Sequence, residues 1–245
     1  MNVSFYTAAV GANQQQQRLN VHANNIANIN TYGFKAEKPT FSSLMYSNLQ
    51  GMNGQELPRG TGSRMIMADT DFSDGALVES GHTLDYAIIG DGFFGLYDPT
   101  TEEISYTRKG SFALSGFQRP NEEGVMESVY MLSDGYGRFV LNKDGKPLEV
   151  KEDSDPGNLP IAVYGFDHTN GMRPVGTNRY LPVDKNGTPR ILENATLQQG
   201  FIEASNSDLA TELTKVIESQ RSYSYALKMV QTSDEIENTI NGLRG

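Results

Sequence analysis

In the N-terminal part of the chain, mostly apolar residues recur at alternating spacings of three and four residues. The positions are Phe5, Ala8, Ala12, Gln15, Leu19, His22, Ile26 and Ile29, and six of the eight are apolar. This repeat is typical of a narrow coiled-coil seam. Gly33 is a natural helix stop and Pro39 blocks any continuation, so the pattern predicts an N-terminal helix.

The C-terminal part carries a similar stripe over a longer stretch. It runs through Leu209, Leu213, Val216, Gln220, Tyr223, Leu227 and Val230, and then shifts to Ile236, Ile240 and Leu243. Neither Gly nor Pro occurs between 207 and 241. We predict a helix of about 35 residues, about 50 Å long. Asn206 or Ser207 would cap this helix, with Asp208 in its first turn.

The middle of the chain differs, because short β-like runs alternate there with turn signals. The runs are residues 86–89, 93–97, 104–107, 111–114, 129–132, 138–141 and 159–166. One further strand is expected near residues 65–67. The sequence therefore predicts an α+β fold in which long terminal helices form a coiled-coil layer and the centre is mainly β. The predicted segments are an N-terminal helix (1–35), an extended linker (36–76), a β domain (77–195) and a C-terminal helix (196–245).

Neither terminal helix is able to bury its stripe alone. The apolar seam is narrow and includes two alanines. The free energy gained by burying it is therefore too small to offset the conformational entropy lost when the helix is ordered. The opposite terminal helix is the obvious first partner, but a two-helix pair leaves its outer stripes exposed. We therefore expect the ends to be poorly ordered in a monomer and to become ordered in an assembly.

Composition and charge exclude several classes of protein. The formal net charge is −10, from 30 acidic and 20 basic residues, which argues against binding nucleic acid or an anionic membrane surface. No apolar stretch reaches the length of a membrane span, so no membrane insertion is expected. Without cysteine, disulfides and cysteine-based metal sites are impossible. The N-terminus lacks a basic, apolar signal sequence, so we expect a cytosolic protein or export without cleavage.

Residues 24–35, which read NNIANINTYGFK, resemble the N-terminal signature of flagellar axial proteins, the rod and hook subunits. Residues 199–206, QGFIEASN, resemble the C-terminal signature of the same family, as do Asp208-Leu209-Ala210, Gln220-Arg221, Tyr223 and Gln231-Thr232-Ser233-Asp234. Between them, residues 72–77, 84–94 and 106–112 look like the first outer domain of the family. Departures include Ser207, Tyr225-Ala226, Ala12 and the divergent segment 116–131.

The resemblance implies a subunit of the bacterial flagellar basal-body rod. In this family the terminal helices form an inner coiled-coil layer around an export channel, and the resulting tube transmits torque. Subunits leave uncleaved through the flagellar type III export apparatus and assemble with themselves and with other axial proteins. The expected location is the flagellar basal body spanning the cell envelope, and neither enzymatic activity nor a cofactor is implied. Proximal and distal rod subunits both remain open, while hook subunits usually carry extra outer domains.

The predicted assembly interface consists of the two terminal stripes and the asparagine-rich end of the first. Asn24, Asn25 and Asn28 lower helix propensity, so they either fray the helix end or tie it to neighbouring subunits, and we favour the second interpretation. The full set is Phe5, Ala8, Ala12, Leu19, Asn24, Asn25, Ile26, Asn28, Ile29, Leu209, Leu213, Val216, Gln220, Arg221, Tyr223, Leu227, Val230, Ile236 and Ile240.

Candidate chemistry elsewhere is weak. Residues 90–95, GDGFFG, match a dinucleotide-binding pattern, but Pro99 follows too soon for a helix to open there, so we predict a hairpin turn. The acidic runs 122–123 and 152–155 are interpreted as solvated loops. His22, His82 and His168 are far apart, so no metal site is expected, and His22 is given a packing or hydrogen-bonding role.

Two alternatives come from other classes of protein. A secreted coiled-coil adhesin or binding module would form a stable, discrete oligomer in solution. An enzyme would need paired titratable groups in a pocket, and the sequence offers no specific candidate.

Overall fold

The computed structural model of this 245-residue chain describes residues 3–44, 47–50, 56–60, 62–120, 126–150 and 156–244. The described residues divide into two compact units that are interleaved along the sequence. The helical unit comprises Met1–Ala27, Glu37–Asp69 and Ser207–Gly245. The β unit comprises Asn28–Ala36 and Thr70–Asn206. Two terminal helices and a central β-rich region are therefore present, as the sequence predicts.

The helical unit is built on two long helices. Helix α1 spans Val3–Ala27 and helix α2 spans Leu209–Arg244. Four short strands accompany them: β1 (Glu37–Ser43), β2 (Ser47–Gln50), β3 (Glu56–Arg59) and β4 (Ser63–Thr70). Strand β1 pairs with β4, and β2 pairs with β3. The strand expected near residues 65–67 lies inside β4, and three further strands occupy the segment predicted as an extended linker.

Helix α1 ends earlier than its apolar repeat. The repeat continues to Ile29, but the backbone N–H of Thr31 donates to the carbonyl of Asn28 (3.0 Å), and residues 28–30 form a turn. Asparagine side chains favour such turns because they compete for backbone hydrogen bonds. The expected stop at Gly33 is therefore preceded by a turn that starts at Asn28.

The N-cap of α2 is Asp208. The residues predicted for this position, Asn206 and Ser207, precede it. The carboxylate of Asp208 accepts hydrogen bonds from the hydroxyl (2.6 Å) and the backbone N–H (2.8 Å) of Thr211. These bonds hold the pKa of Asp208 below its ordinary value. Asn206 is unavailable as a cap because its amide binds the backbone of Ala36 and Asp71 within the β unit.

The β unit contains fourteen strands among its described residues. They are β5 (Leu77–Glu79), β6 (Tyr86–Ile89), β7 (Phe93–Tyr97), β8 (Ile104–Thr107), β9 (Ala113–Pro120), β10 (Met126–Ser133), β11 (Phe139–Val140), β12 (Glu149–Val150), β13 (Val163–Gly165), β14 (Arg173–Pro174), β15 (Arg179–Leu181), β16 (Arg190–Ile191), β17 (Thr196–Gln199) and β18 (Phe201–Glu203). Strands β7 to β16 form one sheet, β6 pairs with β17, and β5 pairs with β18.

Strand β7 lies between two hydrophobic clusters. Its side chains alternate, so Phe94 and Leu96 pack with Leu132 and Val140 in one cluster, while Phe93 packs in the other. This alternation is the two-residue period of a strand that is buried on both faces. The second cluster is mainly aromatic and comprises Phe93, Tyr106, Leu141, Ala162, Tyr164, Met172 and Tyr180.

The predicted β runs are matched to different degrees. The bounds of β6, β7 and β8 agree with the predicted 86–89, 93–97 and 104–107. The run predicted at 111–114 instead begins at Ala113 and extends to Pro120, where β9 pairs with β10 over eight residue pairs. Of the long run at 159–166, the strand β13 covers only residues 163–165.

The prediction of a β-hairpin at Gly90-Asp91-Gly92 is wrong. Strand β6 pairs with β17, whereas β7 pairs with β8, β11 and β13, so the loop connects two different sheets. Gly90 and Gly92 both have positive φ, which lets the backbone change direction here without bringing β6 and β7 together.

Replacing Leu132 by alanine tests the core of the β unit. Leu132 is completely buried, so we expect Leu132→Ala to lower the free energy of unfolding by about 2–5 kcal/mol. Leu114 lies directly opposite on β9 but is exposed, so Leu114→Ala should cost less than about 1 kcal/mol. Urea denaturation followed by tyrosine fluorescence measures both, and equal losses would contradict this assignment of the core.

Candidate assembly interface

Helices α1 and α2 pack against each other in antiparallel orientation. The hydroxyl oxygens of Ser4 and Ser233 lie 3.2 Å apart, and the guanidinium of Arg18 lies 3.5 Å from the carboxylate of Glu218. Further along α1, His22 pairs with a residue near the start of α2. As residue numbers rise along α1, the numbers of the residues contacted on α2 fall, which is the order expected for antiparallel helices. The expectation that the terminal helices pair with each other is thus confirmed.

The face of α2 that is turned away from solvent coincides only in part with the predicted stripe. Its buried residues are Glu212, Ser219 and Ser233, and Val216, Tyr223 and Val230 beside them are half-buried. Only these last three belong to the predicted stripe. The hydroxyl of Ser219 is satisfied inside the helix by the carbonyl of Lys215 (2.7 Å). The face that pairs within the chain is therefore rotated from the predicted stripe and is richer in small and polar residues.

A buried polar cluster joins the C-terminal half of α1 to the first turn of α2. The Nδ1 of His22 donates to the Glu212 carboxylate at 2.6 Å, and the side-chain amide of Asn25 donates to the same oxygen at 3.2 Å. Lys215 donates to the other carboxylate oxygen at 3.1 Å. All of these bonds converge on one acceptor, so Glu212 determines where the two helices meet. The hydrogen-bonding role predicted for His22 is confirmed.

Opposing effects set the pKa of Glu212. Burial disfavours the charged carboxylate and acts to raise its pKa, but the hydrogen bonds from His22, Lys215 and Asn25 favour the charged form and outweigh burial. The pKa is therefore held below its ordinary value. A carboxylate of this kind stabilises the folded helix pair only while it is ionised.

Asn25 has a role different from the contact predicted between subunits. It is fully buried, and its amide donates to the carbonyl of Glu37 (2.9 Å) and accepts from the N–H of the same residue (2.9 Å). With its remaining donor on Glu212, the amide is fully used within its own chain. Asn25 thus attaches the start of β1 to the helix pair. The sequence signal for such a role is weak, because any asparagine in a helix could equally fray it.

The apolar side chains that the helix pair leaves exposed lie mainly on α2. Leu209, Leu213, Ile217, Leu227, Ile236 and Ile240 are each between 39% and 51% exposed, and we name these six residues the outer stripe, although Ile236 and Ile240 lie on a different face of the helix from the first four. Tyr225, Met229 and Leu243 on the same helix are exposed as well. Solvent exposure of so many large apolar groups on one helix is typical of an interaction surface. The expectation that a two-helix pair leaves apolar residues exposed is confirmed for α2.

The predicted interface residues fall into three groups. Buried are Ala12 and Asn25; half-buried are Phe5, Ala8, Leu19, Ile26, Asn28, Ile29, Val216, Tyr223 and Val230; exposed are Asn24, Leu209, Leu213, Gln220, Arg221, Leu227, Ile236 and Ile240. Asn28 and Ile29 belong to the β unit, and the others belong to the helical unit. Ile217 is an exposed apolar residue that the prediction missed, because it lies outside the alternating repeat.

A buried ion cluster in the β unit binds the segment that follows α1 to the segment that precedes α2. Lys35 donates to the carboxylate of Glu203 at 2.6 Å and to the carbonyl of Ser73 at 2.7 Å. Arg108 lies 3.6 Å from the same carboxylate and 3.2 Å from that of Asp74. These four charged residues come from four of the sequence motifs that carry the family resemblance. Nothing in the motifs themselves indicates that these four side chains meet.

Two glycines permit the close approach of backbone around this cluster. A Cβ on Gly75 would lie 2.1 Å from the carbonyl oxygen of Ala204, and the N–H of Gly75 donates to the Glu203 carboxylate at 2.8 Å. Gly33 has φ +68°, and a Cβ there would lie 2.6 Å from the backbone of Lys109. Any larger residue at either position would push the ion cluster apart. Both glycines therefore belong to the cluster as much as the charged residues do.

The charges in this cluster influence one another. Burial lowers the pKa of Lys35 from its ordinary value, and Arg108 adds to this effect, while the hydrogen bond and the charge of Glu203 oppose it. The lowering shows that the Glu203 carboxylate does not fully compensate for the burial of Lys35. Removal of that carboxylate would leave two buried cations without their shared partner.

Other predicted chemistry has no counterpart in the described part of the chain. Strand β7, and no helix, follows the glycines of residues 90–95, so the geometry of a dinucleotide site is missing there. No group of three or more His, Cys, Asp or Glu in the described ranges is placed to hold a metal ion. Neither α1 nor α2, as far as they are described, is apolar enough over a sufficient length to cross a membrane. The acidic runs 122–123 and 152–155 lie outside the described residues.

Long terminal helices that leave apolar side chains exposed are typical of the subunits of a larger structural assembly. Comparison with known proteins identifies which assembly. A family model described as "Flagella basal body rod protein" matches residues 5–35, and one described as "Flagellar basal body rod FlgEFG protein C-terminal" matches residues 198–243. The first matched segment ends at Lys35 and the second contains Glu203, so the two together include the central ion pair.

Individual relatives match over nearly the whole chain. The flagellar basal-body rod protein FlgG of Buchnera aphidicola subsp. Baizongia pistaciae is 31% identical over 95% of this chain and 96% of the relative. FlgG of Bacillus subtilis is 29% identical over 98% of each. FlgF of Caulobacter vibrioides is 31% identical over 94% of each. The chain belongs to the family of flagellar basal-body rod proteins, which are structural proteins and not enzymes.

Glu203→Gln tests the ion cluster. The change removes the carboxylate but keeps its shape, which leaves Lys35 and Arg108 buried without a shared anion. We expect a loss of about 3–5 kcal/mol in the free energy of unfolding of the β unit. Glu193→Gln at an exposed position is the matched control and should change it by less than about 0.5 kcal/mol. Urea denaturation measures both variants, and a loss below about 1 kcal/mol for Glu203→Gln would contradict the role given to this carboxylate.

Glu212→Gln tests the polar cluster of the helix pair through pH. The folded pKa of Glu212 lies below its ordinary value of 4.5, so its stabilisation is complete above pH 4.5 and is lost as the pH falls through the folded pKa. At pH 7 we expect Glu212→Gln to destabilise the helix pair by about 1–3 kcal/mol. This difference from the unsubstituted protein should shrink steadily below pH 4.5.

Urea titrations followed by circular dichroism at 222 nm, at pH 7, 5 and 3.5, measure the difference. Glu235→Gln on the exposed part of α2 is the control. A difference between Glu212→Gln and the unsubstituted protein that stays constant over this range, or grows towards acid pH, would rule out the mechanism.

Proposed function

We propose that this chain is a structural subunit of the flagellar basal-body rod that polymerises through its terminal helices. The observation that carries the proposal is the outer stripe of α2, which remains exposed after α1 and α2 have paired. A rod-family member with such a stripe has apolar surface to bury against further copies. Burial of a large aliphatic side chain contributes roughly 1.5–3 kcal/mol, so six such side chains per copy provide a substantial driving force for assembly.

The proposed contacts between copies are heterologous, because a polymer that grows from one end must join different surfaces of each subunit. The interface residues on this account are the exposed members of the predicted set, Asn24, Gln220 and Arg221 among them, together with the outer stripe. The half-buried seam residues would complete their burial in the same layer. Asn25 contributes indirectly, since it fixes the end of α1 against Glu212 and Glu37.

In the assembled rod, the helix pairs of many copies would form a coiled-coil layer around a central export channel. The β units would then belong to the wall of the tube. Torque would pass from copy to copy through the packed side chains of the helical layer. The proposed segment division follows that of the sequence, with terminal helices within 1–35 and 196–245 and a β domain that includes 77–195, but the segment 36–76 predicted as a linker carries β1 to β4.

The proposed partners are further copies of this chain and the other axial proteins of the rod and hook. Export would proceed through the flagellar type III apparatus without cleavage, and the assembled protein would lie in the basal body, across the cell envelope. A rod subunit is favoured over a hook-type subunit because the rod relatives match over 94–98% of their own length.

A deletion strain complemented with the intact gene tests the function as a whole. The deletion should abolish motility and leave basal bodies without a complete rod, and complementation should restore both.

Limited proteolysis of the purified protein is a second test, and it should cut the terminal segments before residues 70–195. A stable, discrete oligomer with protected termini would instead support the adhesin or binding-module alternative.

Charged substitutions on the outer stripe test the interface. We expect the double variant Leu213→Asp/Ile217→Asp to keep the helix content of the isolated protein, because both side chains are exposed in the chain itself. The same variant should reduce motility at least tenfold, because carboxylates buried between copies would remain unpaired. Swimming in soft agar and electron microscopy of basal bodies measure the effect.

Thr214→Asp is the matched control for the outer stripe. Thr214 lies next to Leu213 on α2 and is also exposed, but it is not part of the outer stripe. This variant should swim normally. Normal rods with the double variant would exclude these two positions from the interface.

A further inference from the structure

The β unit contains a cavity of about 370 Å³ that is lined by aromatic rings and by the buried Arg108. Phe72, Phe93 and Phe166 form apolar walls, and Thr169 lies among the lining residues. The volume falls within the range of roughly 300–1,000 Å³ that is usual for small-molecule sites. All of these residues belong to the β unit, so the cavity does not depend on the helical unit.

Arg108 has hydrogen-bonding capacity that the described residues do not use. Its side chain is only 2% exposed, and one terminal nitrogen donates to Asp74 at 3.2 Å. Its Nε and Nη1 groups have no hydrogen-bond partner within the described part of the chain. Nη1 forms an ion pair with the Glu203 carboxylate, but the distance of 3.6 Å is beyond hydrogen-bonding range, and Oε2 of that carboxylate likewise has no hydrogen-bond partner among the described residues. Since a guanidinium always stays charged, buried N–H groups of this kind favour binding of an anion.

The buried charges around Arg108 do not balance. Lys35 and Arg108 are two buried cations, and Glu203 is the single buried carboxylate that both of them approach. Asp74 also faces Arg108, but its side chain is 58% exposed, so water screens its charge. The four side chains are formally neutral together, but the exposed carboxylate of Asp74 compensates Arg108 only weakly, so its buried N–H groups retain an attraction for an anion.

We propose that this cavity binds a small organic monocarboxylate, with the carboxylate on Arg108 and an apolar body against the phenylalanine rings. A carboxylate matches the planar donors of a guanidinium. The stacking of Arg108 over Phe93, with 5.7 Å between the guanidinium carbon and the ring centroid, keeps those donors in a fixed plane. Aromatic walls favour a hydrophobic body over a second charged group.

The remaining charged residues of the cavity restrict the ligand to a single negative charge. Arg190 and Asp167 form an ion pair with each other, so they add no net charge. Asp91 is exposed and lines the same cavity, where its carboxylate would repel a dianion such as phosphate or a dicarboxylate. A monocarboxylate escapes most of this repulsion.

Titration of the full-length protein with phenylacetate tests the proposal. We expect saturable binding with a dissociation constant of about 1 mM, as a ligand of this size permits. Phenethylamine, which carries the opposite charge, and benzyl alcohol, which carries none, should each bind at least tenfold more weakly. Isothermal calorimetry and chemical shifts of the lining residues measure the binding. Equal affinity for benzyl alcohol, or no binding of phenylacetate, would overturn the proposal.

Thr169→Phe is the variant of choice, because it fills the cavity without touching the ion cluster, whereas a change at Arg108 would disturb the fold itself. It should weaken phenylacetate binding at least tenfold. Thr100→Phe, on an exposed turn of the same unit, is the matched control and should bind normally. Unchanged binding by Thr169→Phe would show that phenylacetate lies elsewhere and would also overturn the proposal.

A carboxylate could reach this cavity on a free molecule or on an acidic side chain of a second copy. If phenylacetate and Thr169→Phe both suppress self-association of the protein, the natural source is the second copy. If binding occurs but self-association is unaffected, the source is a free monocarboxylate. Both results support the monocarboxylate site, and neither depends on the proposed rod function.

Discussion

The ion pair between Lys35 and Glu203 is the interaction on which the rest of the structure depends. The two residues are 168 positions apart, yet their charged atoms lie 2.6 Å from each other in a fully buried place. One stands where the chain has just left α1 and the other where it is about to enter α2. In low dielectric this attraction is strong, and Lys35 and Glu203 each gain a further hydrogen bond from the backbone, to the carbonyl of Ser73 and from the N–H of Gly75. The chain therefore enters and leaves the β unit side by side.

The helical unit follows a different principle. Its buried polar contact is made through Glu212, His22, Asn25 and small serines, with Val216, Tyr223 and Val230 half-buried beside them, while the larger aliphatic residues of α2 remain outside. Polar contacts of this kind define register and orientation more than they add stability. The apolar surface, which contributes most to the free energy of association, stays available for other chains. If the proposed rod contacts are right, recognition within the subunit and cohesion between subunits would be carried by largely separate sets of side chains.

Features with a local cause could be predicted from the sequence, and features with a non-local cause could not. The helices and the strands β6, β7 and β8 follow from periodicity and from turn residues beside them. The cap at Asp208 was missed because Asn206, an equally good candidate, is bound to Ala36 and Asp71, which are far away in sequence. The same holds for the ion cluster, whose members occur in four separate motifs. The side of α2 that pairs with α1 could not be predicted, because apolar periodicity identifies faces without saying which partner covers them.

Helix α2 is longer than α1, so one end of α2 extends beyond α1 in the antiparallel pair. Ser4 lies opposite Ser233, so the residues of α2 from about 235 to 244 continue past the described start of α1. At 1.5 Å per residue this overhang is about 15 Å long, nearly three helical turns. Paired helices of unequal length allow neighbouring subunits to pack in a staggered arrangement, in which the end of each helix lies beside the middle of a neighbouring helix. In a rod assembled through these helices as proposed, shear stress would not concentrate at a single plane, and no cross-section would consist only of helix ends.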